Sequence, residues 1–252
     1  MFVLAGTVAA QSDRSLTPVE VKIEKQRQRL NAADPEERRD AVMQLGAMHL
    51  RAASRAALPS LTDLSPMVRA VGVKAILALE PTESVAALIP LLSDKSEFVR
   101  GEATYALGLT HSKNAISAVS ERLLNDKADS VRGAAAVALG ELKDEGSVPL
   151  LAGLLAPELV TPENRKRKPE RNPFVLRAAA TSLGLIRSRA GTPALIATLA
   201  NEKYPNDVRR EAARSLGMIG DPAATPALTI ASKSPDPYLS RVAFQSLKNI
   251  SR

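Results

Sequence analysis

A ten-residue pattern of apolar and polar positions recurs along this chain. It is complete at Val131–Gly140 (VRGAAAVALG) and returns as VRGEATYALG from Val99, VRAVGVKAIL from Val68 and VRREAARSLG from Val208. More divergent copies are ERRDAVMQLG from Glu37, VLRAAATSLG from Val175 and LSRVAFQSLK from Leu239. Counted from the Arg position, apolar side chains fall at −1, +3 and +7. That is one stripe of a 3.6-residue period, so each copy predicts an amphipathic helix. The Arg position is residue 38, 69, 100, 132, 176, 209 and 240, giving steps of 31, 31, 32, 44, 33 and 31. Five of the six steps agree within two residues, so the pattern is a true internal repeat.

A second helical segment precedes each copy, among them VAALIPLLSD, AISAVSERLLND and TPALIATLAN, and Val19–Asn31 supplies it for the first copy. Thr17-Pro18, Asp34-Pro35, Ser65-Pro66, Asn172-Pro173 and Asp236-Pro237 each read as an N-cap followed by proline at the first helical position. Thr17 with Glu20, and Asp34 with Glu37, have the spacing of capping boxes. One helix pair of this length cannot bury its own apolar face, whereas stacked pairs can. The chain therefore reads as all-α: an α-α superhelix, a solenoid of about seven helix pairs over residues 17–252. Recurrent glycines at 46, 108, 140, 184 and 217 share one repeat position and are expected to end or bend the second helix.

Proline inside the first helix, Asp after it and Val-Arg opening the second helix together resemble the HEAT family. The match is nearest to the short bacterial HEAT-like repeats also found in phycobilisome lyases. The signature acid and base are matched by Asp63 with Arg69, Asp94 with Arg100, and Asp126 with Arg132. The resemblance implies that these form a polar ladder along the solenoid. Asp34 lies only four residues before Arg38 and is expected to cap its helix instead. Leu176 and Ser240 stand at the Arg position, so the ladder is expected to be interrupted there.

Composition narrows the chemistry. Aromatic residues make up 3% of the chain, with no Trp, so helices must pack in thin layers of small aliphatic side chains. The absence of cysteine excludes disulfides, thiol nucleophiles and thiolate metal sites. His49 and His111 fall at helix ends in different repeats, which does not suggest a metal site. No Gly-rich phosphate loop or nucleophile–base–acid set is present, so no catalytic residue, cofactor or metal is expected. A bilin lyase or a base-handling glycosylase of HEAT type would need an aromatic surface. Tyr105, Tyr204 and Tyr238 lie in three separate repeats.

The remaining expectation is binding. In HEAT proteins the second helices line the concave face, and there positions +1 and +5 point away from the buried stripe. Lys74, Tyr105, Arg177, Arg210 and Arg214 in these columns are the expected contacts to an acidic protein or peptide segment. The long step places an insertion at 158–172, ELVTPENRKRKPERN, whose Arg165, Lys166, Arg167 and Lys168 form a second candidate surface. A formal net charge of +7 keeps nucleic acid or another polyanion as the alternative, disfavoured because acidic residues interrupt every basic cluster. Residues 1–16 begin with the apolar run MFVLAGTVAA, which resembles the core and cleavage site of an export signal without its basic start. Export to the periplasm or medium is the expectation, with cleavage after Ala10. No segment is long and apolar enough to span a bilayer as a helix.

Overall fold

The computed structural model describes residues 16–159 and 169–250. Among these residues fourteen α-helices form seven antiparallel pairs, with no strand. The pairs are α1 (Pro18–Arg29) with α2 (Pro35–Ala47), α3 (Arg51–Ala57) with α4 (Pro66–Ala75), and α5 (Pro81–Leu88) with α6 (Glu97–Leu109). They continue with α7 (Ile116–Asn125) and α8 (Asp129–Leu142), then α9 (Val148–Leu155) and α10 (Pro173–Ile186). The last two are α11 (Thr192–Ala200) with α12 (Asn206–Ile219), and α13 (Thr225–Ala231) with α14 (Pro237–Ile250).

The stripe read from the sequence is the core. Val99, Ala103 and Leu107, Val131, Ala135 and Leu139, and Val208, Ala212 and Leu216 are all buried. All of these but Val131 join one continuous cluster from α2 to α14. The first helices are short because proline interrupts them. Pro59 and Pro90 lack an amide donor and crowd the preceding turn, so α3 and α5 give way to 3-10 turns at Leu58–Thr62 and Ile89–Ser93.

Helix starts follow the expected chemistry with two changes. Thr17 and Glu20 form the reciprocal capping box, and Asn172 accepts the amide of Phe174. Asp34 accepts the amide of Glu36, but Glu37 does not complete a box there and instead pairs with Arg29. The Ser65 hydroxyl does not cap α4; the carboxylate of Asp63 takes the Ser65 amide at 2.8 Å.

The ladder exists, with a register the sequence does not show. Each Arg forks onto the acid of the following pair: Arg38 onto Asp63, Arg69 onto Asp94, and Arg100 onto Asp126, at 2.7–3.0 Å. The acid of the same pair is met only through its backbone, as where Arg69 donates to the Asp63 carbonyl at 2.8 Å. Arg132 continues the row onto Glu170, in the insertion read as a candidate binding surface. Bidentate pairing of this kind fixes orientation as well as charge. Hydrogen bonds from Arg38 and Arg69 hold the Asp63 and Asp94 carboxyls below their ordinary range. Burial pushes Asp126 and Glu170 upward, and Arg100 and Arg132 outweigh it, leaving both lowered. Leu176 is buried and ends the row, as expected.

The glycine column does not end the helices. Gly108, Gly140, Gly184 and Gly217 each face the next second helix; a Cβ at Gly108 would stand 2.6 Å from the Cα of Ala138. Ser182, Ser215 and Ser246 take the partner position for the other three. The chain turns out of each helix three residues after the glycine, at His49, His111, Lys143, Arg187 and Gly220, all with positive φ. Because this seam draws second helices together while first helices touch less extensively, the stack bends with its second helices inside.

Candidate protein-binding surface

Three columns of the second helices face away from the first helices: −2, +1 and +5 from the Arg position. The sequence analysis used +1 and +5. Column −2 completes the surface, because in the C-terminal pairs its side chains lie over position +1 of the preceding pair. The Phe174 ring covers Gly133 so closely that any Cβ there would collide with it. Tyr238 lies under the Arg210 guanidinium, 5.3 Å from its centre, and Asp207 takes Arg177 at 3.1 Å.

Every cation expected to meet an acidic partner on this face already has a carboxylate. Lys74 Nζ lies 2.9 Å from Glu102, Arg210 lies 3.0 Å from Asp236, and Arg214 lies 3.7 Å from Glu211. Together with Arg177–Asp207, these pairs cancel the charge locally. The Asp236 carboxyl is held low chiefly by the Leu239 amide, with Arg210 adding to it. Column reading found the cations but not their partners, which sit one repeat further on for Lys74, Arg177 and Arg210 and one turn back on the same helix for Arg214.

The structure brings Tyr105 and Lys74 together and leaves Arg177, Arg210 and Arg214 two to four pairs away. Around the first two is an apolar depression that the sequence analysis missed. Met43, Met67, Val71 and Phe98 wall a hollow of about 420 Å³ across α2, α4 and α6. A second hollow of about 460 Å³ adjoins it past Lys74 and Glu102, ending at Tyr105 and Leu109. Met43, Met67 and Phe98 are 44–52% exposed, a high figure for side chains of their size set side by side. The opening lies where Leu77 replaces glycine in the seam and α4 stops at Ala75. Methionine and aromatic side chains at the repeat spacing in column −2, Met67 and Phe98, were the sequence signal available.

Arg165, Lys166, Arg167 and Lys168 lie outside the described residues, as do residues 1–10. Among the described residues no group of three or more acidic or histidine side chains could hold a metal ion. No helix among them is long and apolar enough to cross a membrane.

Comparison with known proteins agrees with this architecture. The phycocyanin lyase complex of CpcE and CpcF from Nostoc sp. PCC7120 aligns at a TM-score of 0.53 and 21% identity, over 97% of this chain and 92% of that one. Human deoxyhypusine hydroxylase in complex with glycerol aligns at a TM-score of 0.46 and 20% identity, over 91% and 84%. At this identity the likeness to the lyase complex shows the fold alone. No curated protein matches the sequence. The family model described as HEAT repeats matches residues 23–108, 54–140, 85–160 and 167–248. The chain belongs to the HEAT-repeat family.

Proposed function

We propose that this chain is a non-catalytic scaffold that binds a segment of another protein along its inner, second-helix face. The observation that carries the reading is the pair of adjoining hollows bounded by Met43, Met67, Phe98, Tyr105 and Leu109. Such a depression takes apolar anchors from a partner, and burial of a few large side chains supplies most of the affinity in interfaces of this kind. Lys74 and Glu102 at its centre give one polar contact that fixes the register.

Arg177, Arg210 and Arg214 extend the surface toward the C-terminal pairs. An acidic partner there competes with Asp207, Asp236 and Glu211, so these residues tune specificity more than they add affinity. The same pairing disfavours nucleic acid on this face. Export belongs to the proposal through the apolar opening segment, and its test is the N-terminal residue of the protein recovered outside the cytoplasm, expected to be Gln11.

The binding test is affinity capture from the native extract with the wild-type chain and with Phe98→Asp plus Tyr105→Ala. A protein retained at low and high salt by the wild type and released by the double variant supports the scaffold. Nucleic acid recovered instead, and lost at high salt, overturns it.

A further inference from the structure

The edge that carries the ladder holds a feature outside the inner face. One residue after each ladder acid, at position −5 from the Arg, stand Leu64, Lys95, Lys127 and Arg171, all exposed. The ladder fixes their backbone the same way each time. The acid before each accepts the amide of the residue after it, at Ser65, Ser96, Ala128 and Asn172, over 2.8–3.0 Å. The carbonyls of Leu64, Lys95 and Lys127 accept from Arg69, Arg100 and Arg132 at 3.2–3.4 Å. Arg171 has no ladder arginine of its own pair, and its amide donates to Glu170 at 2.9 Å.

These four side chains therefore project from a repeated, rigid turn, one per helix pair. Their acidic neighbours are spent: Asp94, Asp126 and Glu170 are engaged by Arg69, Arg100 and Arg132. Lys95, Lys127 and Arg171 have no carboxylate within ion-pair distance among the described residues. The nearest exposed acids in sequence are Glu97 and Asp129, at the starts of α6 and α8, and Asp129 is held by Arg132. This edge keeps its positive charge where the inner face has cancelled its own. Leu64, 95% exposed, is the most exposed large apolar residue among the described residues and stands at the end of the row.

Spacing selects the occupant. Stacked helices lie roughly 8–10 Å apart, so the row offers one cation per step of that length. A polyproline-type segment has three residues per turn and rises about 3.1 Å per residue, returning a side chain to the same side about every 9.3 Å. A β-strand alternates sides with a period of two and cannot keep that register. We infer that Leu64, Lys95, Lys127 and Arg171 form a docking edge for an extended acidic segment with a carboxylate at every third residue and an apolar residue at one end.

The test uses the full chain at low ionic strength and two fluorescein-labelled peptides of identical composition. One is Leu-Pro-Pro-Glu-Pro-Pro-Glu-Pro-Pro-Glu; the other has its three Glu adjacent. Fluorescence anisotropy is expected to show the spaced peptide binding about fivefold tighter, as three screened ion pairs in register allow. Lys127→Glu, an exposed change that leaves the circular dichroism intact, is expected to weaken it about tenfold, and Lys95→Glu to do likewise. Phe98→Asp on the inner face should leave this binding unchanged, which separates its failure from that of the scaffold reading. Equal affinity for the two peptides, no binding, or no response to Lys127→Glu overturns the inference. So does a twelve-residue thymidine oligonucleotide that binds more tightly and is lost in the same variants.

Discussion

The N-terminal and C-terminal halves of this solenoid hold their pairs together by different means. From α2 to α10 the ladder runs unbroken, Arg38 to Asp63, Arg69 to Asp94, Arg100 to Asp126 and Arg132 to Glu170, while the inner seam is interrupted at Leu77. From α6 onward the seam is continuous through Gly108, Gly140, Gly184 and Gly217, while the ladder fails at Leu176. Where charge fixes the stack at its edge, the inner helices can part and leave an apolar hollow. Where small residues lock the inner helices, the edge can lose its arginine. Each half tolerates the loss of one device because the other remains.

The largest expected effect breaks the seam where it acts alone. Gly184→Leu drives a side chain into Ser215, whose Oγ would already lie 2.6 Å from a Cβ at 184. We expect a loss of about 3 kcal/mol. Hydrogen exchange should show α10 and α12 losing protection while α4 and α6 keep theirs; uniform loss would mean that the halves are not separable. Next comes the ladder. Arg100→Ala leaves the Asp126 carboxylate, whose side chain is 2% exposed, without its fork, a cost of about 2–3 kcal/mol. Here urea denaturation should show the N-terminal half yielding first.

Acid sharpens the same comparison without mutation. Asp63, Asp94, Asp126 and Glu170 all titrate below their ordinary values in the fold. Groups lowered in this way contribute stability that is complete above the unfolded pKa and is lost as pH falls through the folded one. The ordinary values are 3.8 for Asp and 4.5 for Glu, so the loss falls below about pH 4. Protection of α4 and α6 should decline there before that of α12. A parallel decline in both halves would show that the ladder contributes little. The smallest effect is Gly46→Ala. A Cβ there would lie 3.1 Å from the Ala75 Cα, a contact relieved by a small shift, so the melting curve should move by less than about 1 kcal/mol.

Much of this was legible in the sequence, because the Val-Arg phrase specifies helix, stripe and repeat at once. The boundaries of the second helices and the buried triplets follow from it directly. The ladder register was hidden, because an acid six residues before its Arg serves two masters. Asp94 caps its own turn through the Ser96 amide and takes the fork of Arg69 from the pair before. Sequence spacing shows only the first relation. The seam was misread for a related reason: glycine near a helix end suggests a stop, yet the contact that requires it lies about thirty residues away, at Ala138 for Gly108. Glu170 was hidden among the other charges of 158–172. On the inner face, selecting residues for charge overlooked column −2, where Met67 and Phe98 form the hollow.

The left-handed turns that close the second helices have a consequence for heat tolerance. His49, His111, Lys143 and Arg187 hold φ near +50° to +59°, a region that costs an L side chain roughly 1 kcal/mol, while Gly220 meets the same demand freely. Each lies in a different pair, far enough from the others for such costs to add. The chain thus holds an unused reserve of thermal stability at four surface positions. Because three of those positions carry a Lys, an Arg or the His111 contact to the Glu141 carbonyl, drawing on that reserve would remove charge or hydrogen bonding from the helix ends.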